Sequence, residues 1–259
     1  MHHMQEEEVW RLLDLEYESA FRNLAVEEAI STSVGKGTVP NTVRFWRNTN
    51  AVVIGCFQSV GLEANPEACK LHGTTIARRF TGGGAVYHDH GNLNYSIALQ
   101  QNHCLVTDDI SETFRTLSLA AAAGLESLGA RVEYESPNTL QINGRKIAGA
   151  AGAIRKGFVF FHGSILVDTD LSVLSEVLSP ASQFSTKRYV RSVRKDVSNL
   201  SIEIARKLTI QEVKYALRRG FEKAFTLKLT DGSLTEEEKL VSDTLLEEKY
   251  SQETWNFKG

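Results

Sequence analysis

Residues 78–89 read RRFTGGGAVYHD, and this stretch carries more information about the 259-residue chain than any other. Three consecutive glycines between apolar segments allow a backbone to approach a ligand closely, and their amides can converge on an anion. Two arginines directly upstream supply guanidinium groups, which match phosphate and carboxylate oxygens. The stretch is therefore a candidate anion-binding loop, with a simple glycine-rich bend or hairpin as the alternative. The residues concerned are Arg78, Arg79, Gly82, Gly83 and Gly84.

Two common phosphate-binding motifs do not match this glycine loop. No Gly-Lys-Ser/Thr sequence follows the glycines, which excludes a Walker loop. Tyr87 stands where a dinucleotide-binding fingerprint requires glycine, and a strand rather than a helix is predicted to follow. The loop therefore belongs to neither of these nucleotide-binding classes.

Hydrophobic periodicity on both sides of the loop predicts an α+β fold. Strands are predicted at 9–15, 43–47, 52–56, 75–79 and 93–99, and the alternation in the last is typical of a half-buried strand. Strands at 139–142, 146–154 and 158–167 are separated by the tight turns 143–144 and 156–157. Helices are predicted at 19–34, 66–71, 110–128 and 171–178, and two more begin at capping boxes after Thr209 and Thr235. Strands that come in hairpins favour α+β over a doubly wound parallel sheet.

The composition is that of an ordinary globular chain and excludes several classes of protein. Hydrophobic residues make up 42% and charged residues 24%, and the length fits one large domain or a domain with a small lobe. The net charge of −3 gives no basic field for nucleic acid, and no apolar run is long enough to span a membrane. The three cysteines are widely spaced and form neither a disulfide nor a zinc framework, so a cytoplasmic location is expected. The polar N-terminal residues do not form a signal peptide.

Three further stretches contain candidate site residues. Lys146 lies among small residues after a turn, where it could reach into a cleft, or alternatively guard an edge strand. His162 interrupts an apolar strand, and a hydrogen-bonded core histidine is the alternative there. His88 and His90 would share one face of a strand, but a zinc site needs more ligands. The basic stretch 182–200 is either a mobile surface loop or a solvated face, and contains Lys187, Arg188, Arg191, Arg194 and Lys195.

Taken in order, these stretches resemble the lipoate–protein ligase A family. The family motif RR-x-[ST]-GGGAV-[FY]-HD-x-GN is matched by residues 78–92, K-[VIL]-x-G-[SA]-A by 146–151, and the His-Gly-[ST]-hydrophobic strand by 162–165. Weaker matches lie at 23–28, 46–48, 52–55, 192–194 and 255–257, so the resemblance covers nearly the whole chain. It implies an α+β catalytic domain over residues 1–259, with a mixed β-sheet and packed helices similar to biotin ligases.

The resemblance implies an ATP-dependent ligase with lipoate as substrate. The carboxylate of lipoate attacks the α-phosphate of Mg·ATP, and a lysine of a lipoyl carrier domain then displaces AMP. Such carriers are the E2 components of 2-oxoacid dehydrogenases and the H protein of glycine cleavage. Lys146 is the implied catalytic cation, Trp46 and His162 are expected along the acyl chain, and His88 and Asp89 near the nucleotide or a metal. The implied ligand-binding residues are Trp46, Arg78, Arg79, Gly82, Gly83, Gly84, Ala85, His88, Asp89, Asn138, Ala151 and His162.

The chain departs from the family pattern at two places. Asn138-Thr139 stands where the family usually has Asn-Asp, so an acidic Mg²⁺ ligand is missing and the metal ligands stay unassigned. Single-chain members continue beyond Trp-Asn-Phe into an accessory domain, whereas this sequence stops at Gly259. A separate accessory chain is therefore expected as a partner.

Two alternative functions stay open. An octanoyl or lipoyl transferase of the same fold would move the acyl group without ATP through a cysteine nucleophile. None of Cys56, Cys69 and Cys104 stands where the motifs of such enzymes would place it, and Gly84 stands where they tend to have arginine. A homologue that binds an adenylate but has lost catalysis is the second alternative, because of Thr139.

Overall fold

The computed structural model describes residues 8–178 and 189–258. Its strands form one sheet of eight and one of three. The strands are β1 (Glu8–Asp14), β2 (Thr42–Trp46), β3 (Asn50–Ile54), β4 (Thr75–Arg78), β5 (Val86–Asp89), β6 (Asn92–Gln100), β7 (Glu133–Glu135), β8 (Thr139–Ile142), β9 (Arg145–Arg155), β10 (Phe158–Leu166) and β11 (Leu227–Asp231).

The large sheet is mixed, as the resemblance implied. Its strand order is β11-β1-β2-β6-β10-β9-β8-β7, and that of the small sheet is β4-β3-β5. Strand β1 pairs in parallel with β11 and β2, whereas the other neighbours in the large sheet are antiparallel. The α+β class is therefore confirmed. The consecutive strands β2 and β3 belong to different sheets, because the turn at 48–50 leads the chain from one sheet to the other.

Most predicted helices form with the expected ends. Ser19 caps the first long helix, and both capping boxes, after Thr209 and Thr235, are made. No helix in the described ranges is both long and apolar enough to cross a membrane. The helices are α1 (Ala20–Gly35), α2 (Val60–Glu63), α3 (Pro66–Leu71), α4 (Ile110–Glu126), α5 (Leu171–Val177), α6 (Leu200–Glu203), α7 (Ile210–Phe225), α8 (Glu236–Leu245), a π-helical turn (Leu246–Tyr250) and α9 (Glu253–Asn256).

Helices cover both faces of the large sheet. Helices α4 and α7 pack on the face that carries Leu93, Tyr95 and Ile97 of β6, whereas α1 packs on the opposite face. The prediction of a half-buried β6 is therefore wrong, since eight of its nine residues are buried. Burial of its polar side, with Asn94 and Ser96, follows from the position of α1.

Lys146 does not guard a sheet edge. It lies near the start of β9, which has β8 on one side and β10 on the other. Its backbone also pairs in parallel with Val197, its N–H bonding to Asp196 and its carbonyl accepting from Ser198. The edge-strand alternative is wrong, because Lys146 pairs with Gln141 of β8 on one side and with Val197 on the other.

Candidate active site

A cavity of about 460 Å³ lies between the large sheet, the small sheet and α1. A row of paired residues crosses its floor, running from Trp46 to Asn94, then Ser164, then Gly149. Paired residues on antiparallel strands point to the same face, so this row lies together beneath the cavity. The predicted site residues that line the cavity are Trp46, Arg79, Gly83, Gly84, Ala85, His88, Asn138, Lys146, Ala151 and His162.

Arg78 does not line the cavity, although it was predicted to bind ligand. Its side chain is fully buried and donates only to backbone carbonyls, at distances of 2.5–3.2 Å. The structure thus gives it a structural role, which we call the Arg78 clamp, joining β4 to the C-terminal segment. The carbonyls belong to Gly55, Gln58, Trp255, Asn256 and Lys258.

Asp89 and Gly82 also lie outside the cavity lining. The carboxylate of Asp89 accepts hydrogen bonds from the backbone N–H groups of Gly91 and Asp170, both at 2.8 Å. Gly82 offers its carbonyl to Arg79. These two residues shape the turns on either side of the cavity wall.

Arg79 holds the glycine loop in place from behind. Its guanidinium donates to the carbonyls of Gly82 and Gly84 at 2.6 and 2.7 Å. Burial lowers the pKa of Arg79 to about 10, so it is a cation at neutral pH. Gly83 has a φ of +86°, and a Cβ there would lie 3.0 Å from that of Ala151. Position 83 therefore requires glycine.

Lys146 lies where this cavity meets a second one of about 390 Å³. Its Nζ is only 2.7 Å from where a Cβ on Gly149 would be, so the absence of a side chain there lets the ammonium fit over the strand. Burial lowers the pKa of Lys146, the charges of Lys195 and Arg79 lower it further, and Glu135 raises it. A partly desolvated ammonium interacts strongly with an incoming anion.

The segment 189–197 forms a wall shared by the two cavities. Arg191 and Lys195 line both cavities and Arg194 lines the second, so the described part of the basic stretch is more than a solvated face. Lys195 Nζ contacts Glu135 at 2.5 Å, while Ser192 Oγ accepts from the backbone N–H of Ala85 at 2.8 Å. The predicted Lys187 and Arg188 lie outside the described residues.

Glu135, Asn94 and Ser192 were not predicted as site residues. Ser192 lies in the weaker family match at 192–194, but no short motif marks Glu135 or Asn94, and each of the three reaches the cavity from a different strand or loop. Lys195 lay within a basic stretch that the sequence did single out, but its pairing with Glu135 joins residues 60 positions apart. Only the register of the sheet and the course of the 189–197 segment bring these groups together.

The protonation of His88 is fixed by hydrogen bonds that start at the backbone. Asn23 Oδ1 accepts from the N–H of Tyr17, so Asn23 Nδ2 is the donor to Asn48 Oδ1 at 2.9 Å. Asn48 Nδ2 must then face His88 Nδ1, at 3.1 Å. An amide NH₂ can only donate, so Nδ1 accepts and the proton of His88 is on Nε2. Burial and the charge of Arg79 lower the pKa of His88 to about 3, which keeps the ring neutral.

His162 is also neutral, and it is not an isolated core histidine. Its Nε2 lies 2.8 Å from Thr81 Oγ1, and the ring is half-buried at the cavity. Burial, followed by the charges of Arg79 and His88, lowers the pKa of His162 well below its ordinary value. Two uncharged imidazoles therefore line a cavity in which the cations are Lys146, Lys195 and two arginines.

The described residues do not form a protein cage for Mg²⁺. They contain no group of three or more His, Cys, Asp or Glu that could hold a metal ion. Thr139 is buried, and the one carboxylate lining the first cavity, Glu135, is paired with Lys195. Protein-bound Mg²⁺ often uses only one or two carboxylates together with substrate phosphates, so a site of that kind needs no such cluster.

None of the three cysteines lines either cavity. Cys69 is buried in a small apolar cluster, and Cys104 is exposed. Burial raises the pKa of Cys69 to about 11 and also raises that of Cys56, which follows β3. A cysteine nucleophile needs a lowered pKa and access to the substrate, whereas burial raises the pKa of Cys56 and of Cys69.

Comparison with known proteins identifies relatives over almost the full length. The model of the lipoyl protein ligase A/B catalytic domain matches residues 19–222. Lipoate-protein ligase A subunit 1 of Thermoplasma acidophilum is 37% identical over 257 residues, covering 95% of each chain. Octanoyltransferase LipM of Geobacillus kaustophilus is 33% identical over 275 residues, covering 97% of this chain and 99% of that protein.

Solved structures also match this chain over almost its full length. The bi-partite lipoate protein ligase of Thermoplasma acidophilum, studied with its E2 lipoyl domain, superposes with a TM-score of 0.84 at 35% identity, covering 96% of both chains. A lipoate-protein ligase A bound with ATP gives a TM-score of 0.82 at 35% identity, covering 95% of this chain and 98% of that one.

Proposed function

This chain belongs to the lipoyl protein ligase A/B catalytic domain family, and we propose that it activates lipoate with ATP and transfers the lipoyl group to a lysine of a lipoyl carrier domain. The ATP-bound neighbour and the neighbour studied with an E2 lipoyl domain support the nucleotide and the carrier. The glycine cleavage H protein is a second candidate carrier, since it also presents a lipoyl lysine.

The position of Lys146 carries this proposal. It stands between a cavity floored by small and neutral side chains and a second cavity, where Arg194 joins Arg191 and Lys195 of the shared wall. An acyl chain suits the first cavity and nucleotide phosphates suit the second. The carboxylate and the α-phosphate would then meet at the Lys146 ammonium.

The reaction follows from this arrangement. A carboxylate oxygen bonds to the α-phosphorus of Mg·ATP, the bond to the bridging oxygen breaks, and pyrophosphate leaves. Negative charge grows on the phosphoryl oxygens, where the Lys146 ammonium donates hydrogen bonds. The neutral amine of the carrier lysine then attacks the acyl carbon, AMP leaves with the bonding electron pair, and the amine proton passes to solvent.

An ATP-independent octanoyltransferase is the second candidate, because the LipM relative is nearly as similar as the ligase subunit. Such an enzyme needs a thiol beside the acyl group, and the raised pKa values of Cys56 and Cys69 speak against that role. The deciding experiment is mass spectrometry of a lipoyl carrier domain. We expect the lipoyl mass to appear with lipoate and ATP, whereas transfer from an octanoylated carrier without ATP would refute the proposal.

A separate accessory chain completes the proposed enzyme. The Thermoplasma acidophilum relative is named lipoate-protein ligase A subunit 1, and the lipoate protein ligase that superposes on this chain is bi-partite. Residues 1–259 would then be the catalytic domain, and a second chain would hold the carboxylate and the phosphate at reaction distance. A catalytically impaired homologue would instead bind ATP without releasing pyrophosphate, whether or not the accessory chain is present.

A further inference from the structure

The end of the first cavity that lies away from Lys146 contains buried N–H donors without acceptors. Besides the indole Nε1 of Trp46, they are His88 Nε2 and Asn94 Nδ2, in residues that are only 4% and 2% exposed. Both residues line the cavity, and in the part of the chain that the structure describes neither atom has a hydrogen-bond partner. Buried polar groups without partners are rare in folded proteins, and they call for a ligand or an ordered water.

The hydrogen bonds around His88 determine its tautomer. The bonds from Tyr17 through Asn23 and Asn48 require Nδ1 to accept, so Nε2 carries a hydrogen. The ring centroid lies 5.9 Å from that of Trp46, in an edge-on contact. Trp46 is in turn the strand neighbour of Asn94, so the two donors flank the same indole.

The distance along the floor matches a medium-length acyl chain. Gly149 of β9 lies beneath the Lys146 ammonium. It pairs with Ser164 of β10, which pairs in turn with Asn94 of β6, so Gly149 and Asn94 are two strands apart. Neighbouring strands lie about 4.8 Å apart, which places Asn94 roughly 10 Å from Gly149. An acyl chain with its carboxylate at Lys146 would therefore end beside Asn94, Trp46 and His88.

We propose that His88 and Asn94 receive the ring sulfur of a lipoyl group, so that this cavity selects a dithiolane over a plain fatty acyl chain. The inference takes its acyl substrate from the proposed function, and it adds the residues that determine which acyl group the cavity prefers. Sulfur is a weak acceptor, whereas a hydrocarbon end leaves both donors buried and unpaired. Sites that hydrogen-bond a ligand group discriminate against analogues that lack it.

An ordered water bonded to the two donors would also disfavour the binding of a hydrocarbon end. A hydrocarbon end that displaced such a water could not replace its hydrogen bonds, and affinity would fall. The selection therefore arises from His88 and Asn94 whether the acyl group meets the N–H groups or their water.

The test is the binding of two acids of nearly equal shape, measured by calorimetry in the absence of ATP. The probes are lipoate and 5-cyclopentylpentanoate, in which methylene groups replace the ring sulfurs. We expect the wild-type protein to bind lipoate about fivefold more tightly, the size of one modest hydrogen bond. Asn94→Leu, or His88→Phe, should narrow this preference to within about twofold.

The matched control is Val53→Ala, which changes the apolar lining of the same cavity but no donor. It should alter both affinities together and leave their ratio unchanged. Equal affinities in the wild type, a comparison that needs no variant, would overturn the inference, as would a preference that survives both donor substitutions. If neither acid binds, both the inference and the proposed acyl substrate fail.

Discussion

Gly149→Ala tests the role of Lys146 because it displaces the lysine without removing it. The added Cβ would lie 2.7 Å from Lys146 Nζ and 2.9 Å from Cε. Non-bonded heavy atoms settle at about 3.5 Å or more, so the ammonium must move by roughly 1 Å. Gly149 is not among the glycines with positive φ, so alanine fits its backbone conformation.

The expected effect is large on catalysis and small on folding. A displacement of about 1 Å at a reacting centre can reduce the rate roughly 100-fold, which corresponds to about 2.7 kcal/mol in the barrier. The displaced atoms are the flexible end of a lysine, so the strand itself can keep its position. The melting temperature should therefore stay close to that of the wild type.

The assay is lipoate-dependent release of pyrophosphate, with the accessory chain present if it is required. Gly61→Ala is the matched control, because no atom lies within 4 Å of a Cβ at that position. The double variant Lys146→Ala/Gly149→Ala should be no slower than Lys146→Ala alone, since both changes remove the same contact. A folded Gly149→Ala protein at the wild-type rate would refute the reasoning. An additive double variant would show that the new methyl group blocks substrate instead.

Three further predictions concern the thiols, the pH profile and the accessory chain. Replacing Cys56, Cys69 and Cys104 together by alanine should leave ATP-dependent transfer within about twofold of wild type, at the level of surface substitutions; its loss in a folded protein would favour a thiol transferase. Burial lowers the pKa of Lys146, so adenylate formation should decline as pH rises through that lowered value, and Lys195→Gln should move this decline to higher pH by removing a neighbouring positive charge. An unmoved alkaline limb in the pH–rate profile would contradict this coupling. The isolated chain should transfer the lipoyl group from preformed lipoyl-adenylate to a carrier lysine yet release little pyrophosphate from ATP, and full turnover unaffected by an added partner would show that no accessory chain is needed.

Features that depend on neighbouring residues could be predicted from the sequence. The caps at Ser19, Thr209 and Thr235 form because a side chain and a backbone N–H three residues away suffice to make them. The glycine loop and Lys146 could be placed near one another because the chain resembles a family in which both occur. Each of these predictions needed only local chemistry or an ordered set of motifs.

Features that depend on distant elements could not be predicted. The buried polar face of β6 follows from the packing of α1, which lies far away in sequence. Arg78 and Asp89 have side chains suited to binding a ligand, but their nearest partners turn out to be protein backbone groups. Residue type shows which bonds a side chain can make, and the fold decides which partner is close enough.

The Arg78 clamp has a consequence for synthesis of the chain on the ribosome. Its buried guanidinium takes three of its carbonyl partners from Trp255, Asn256 and Lys258, about 180 residues downstream. Until those residues leave the ribosomal tunnel, Arg78 lacks three of the five partners that compensate for burying its charge. The strand that leads into the glycine loop can therefore settle only after residues 255–258 have emerged, however early the rest of the sheet has folded. The growing chain should accordingly gain its ability to bind ligand abruptly, when that segment emerges, rather than by degrees.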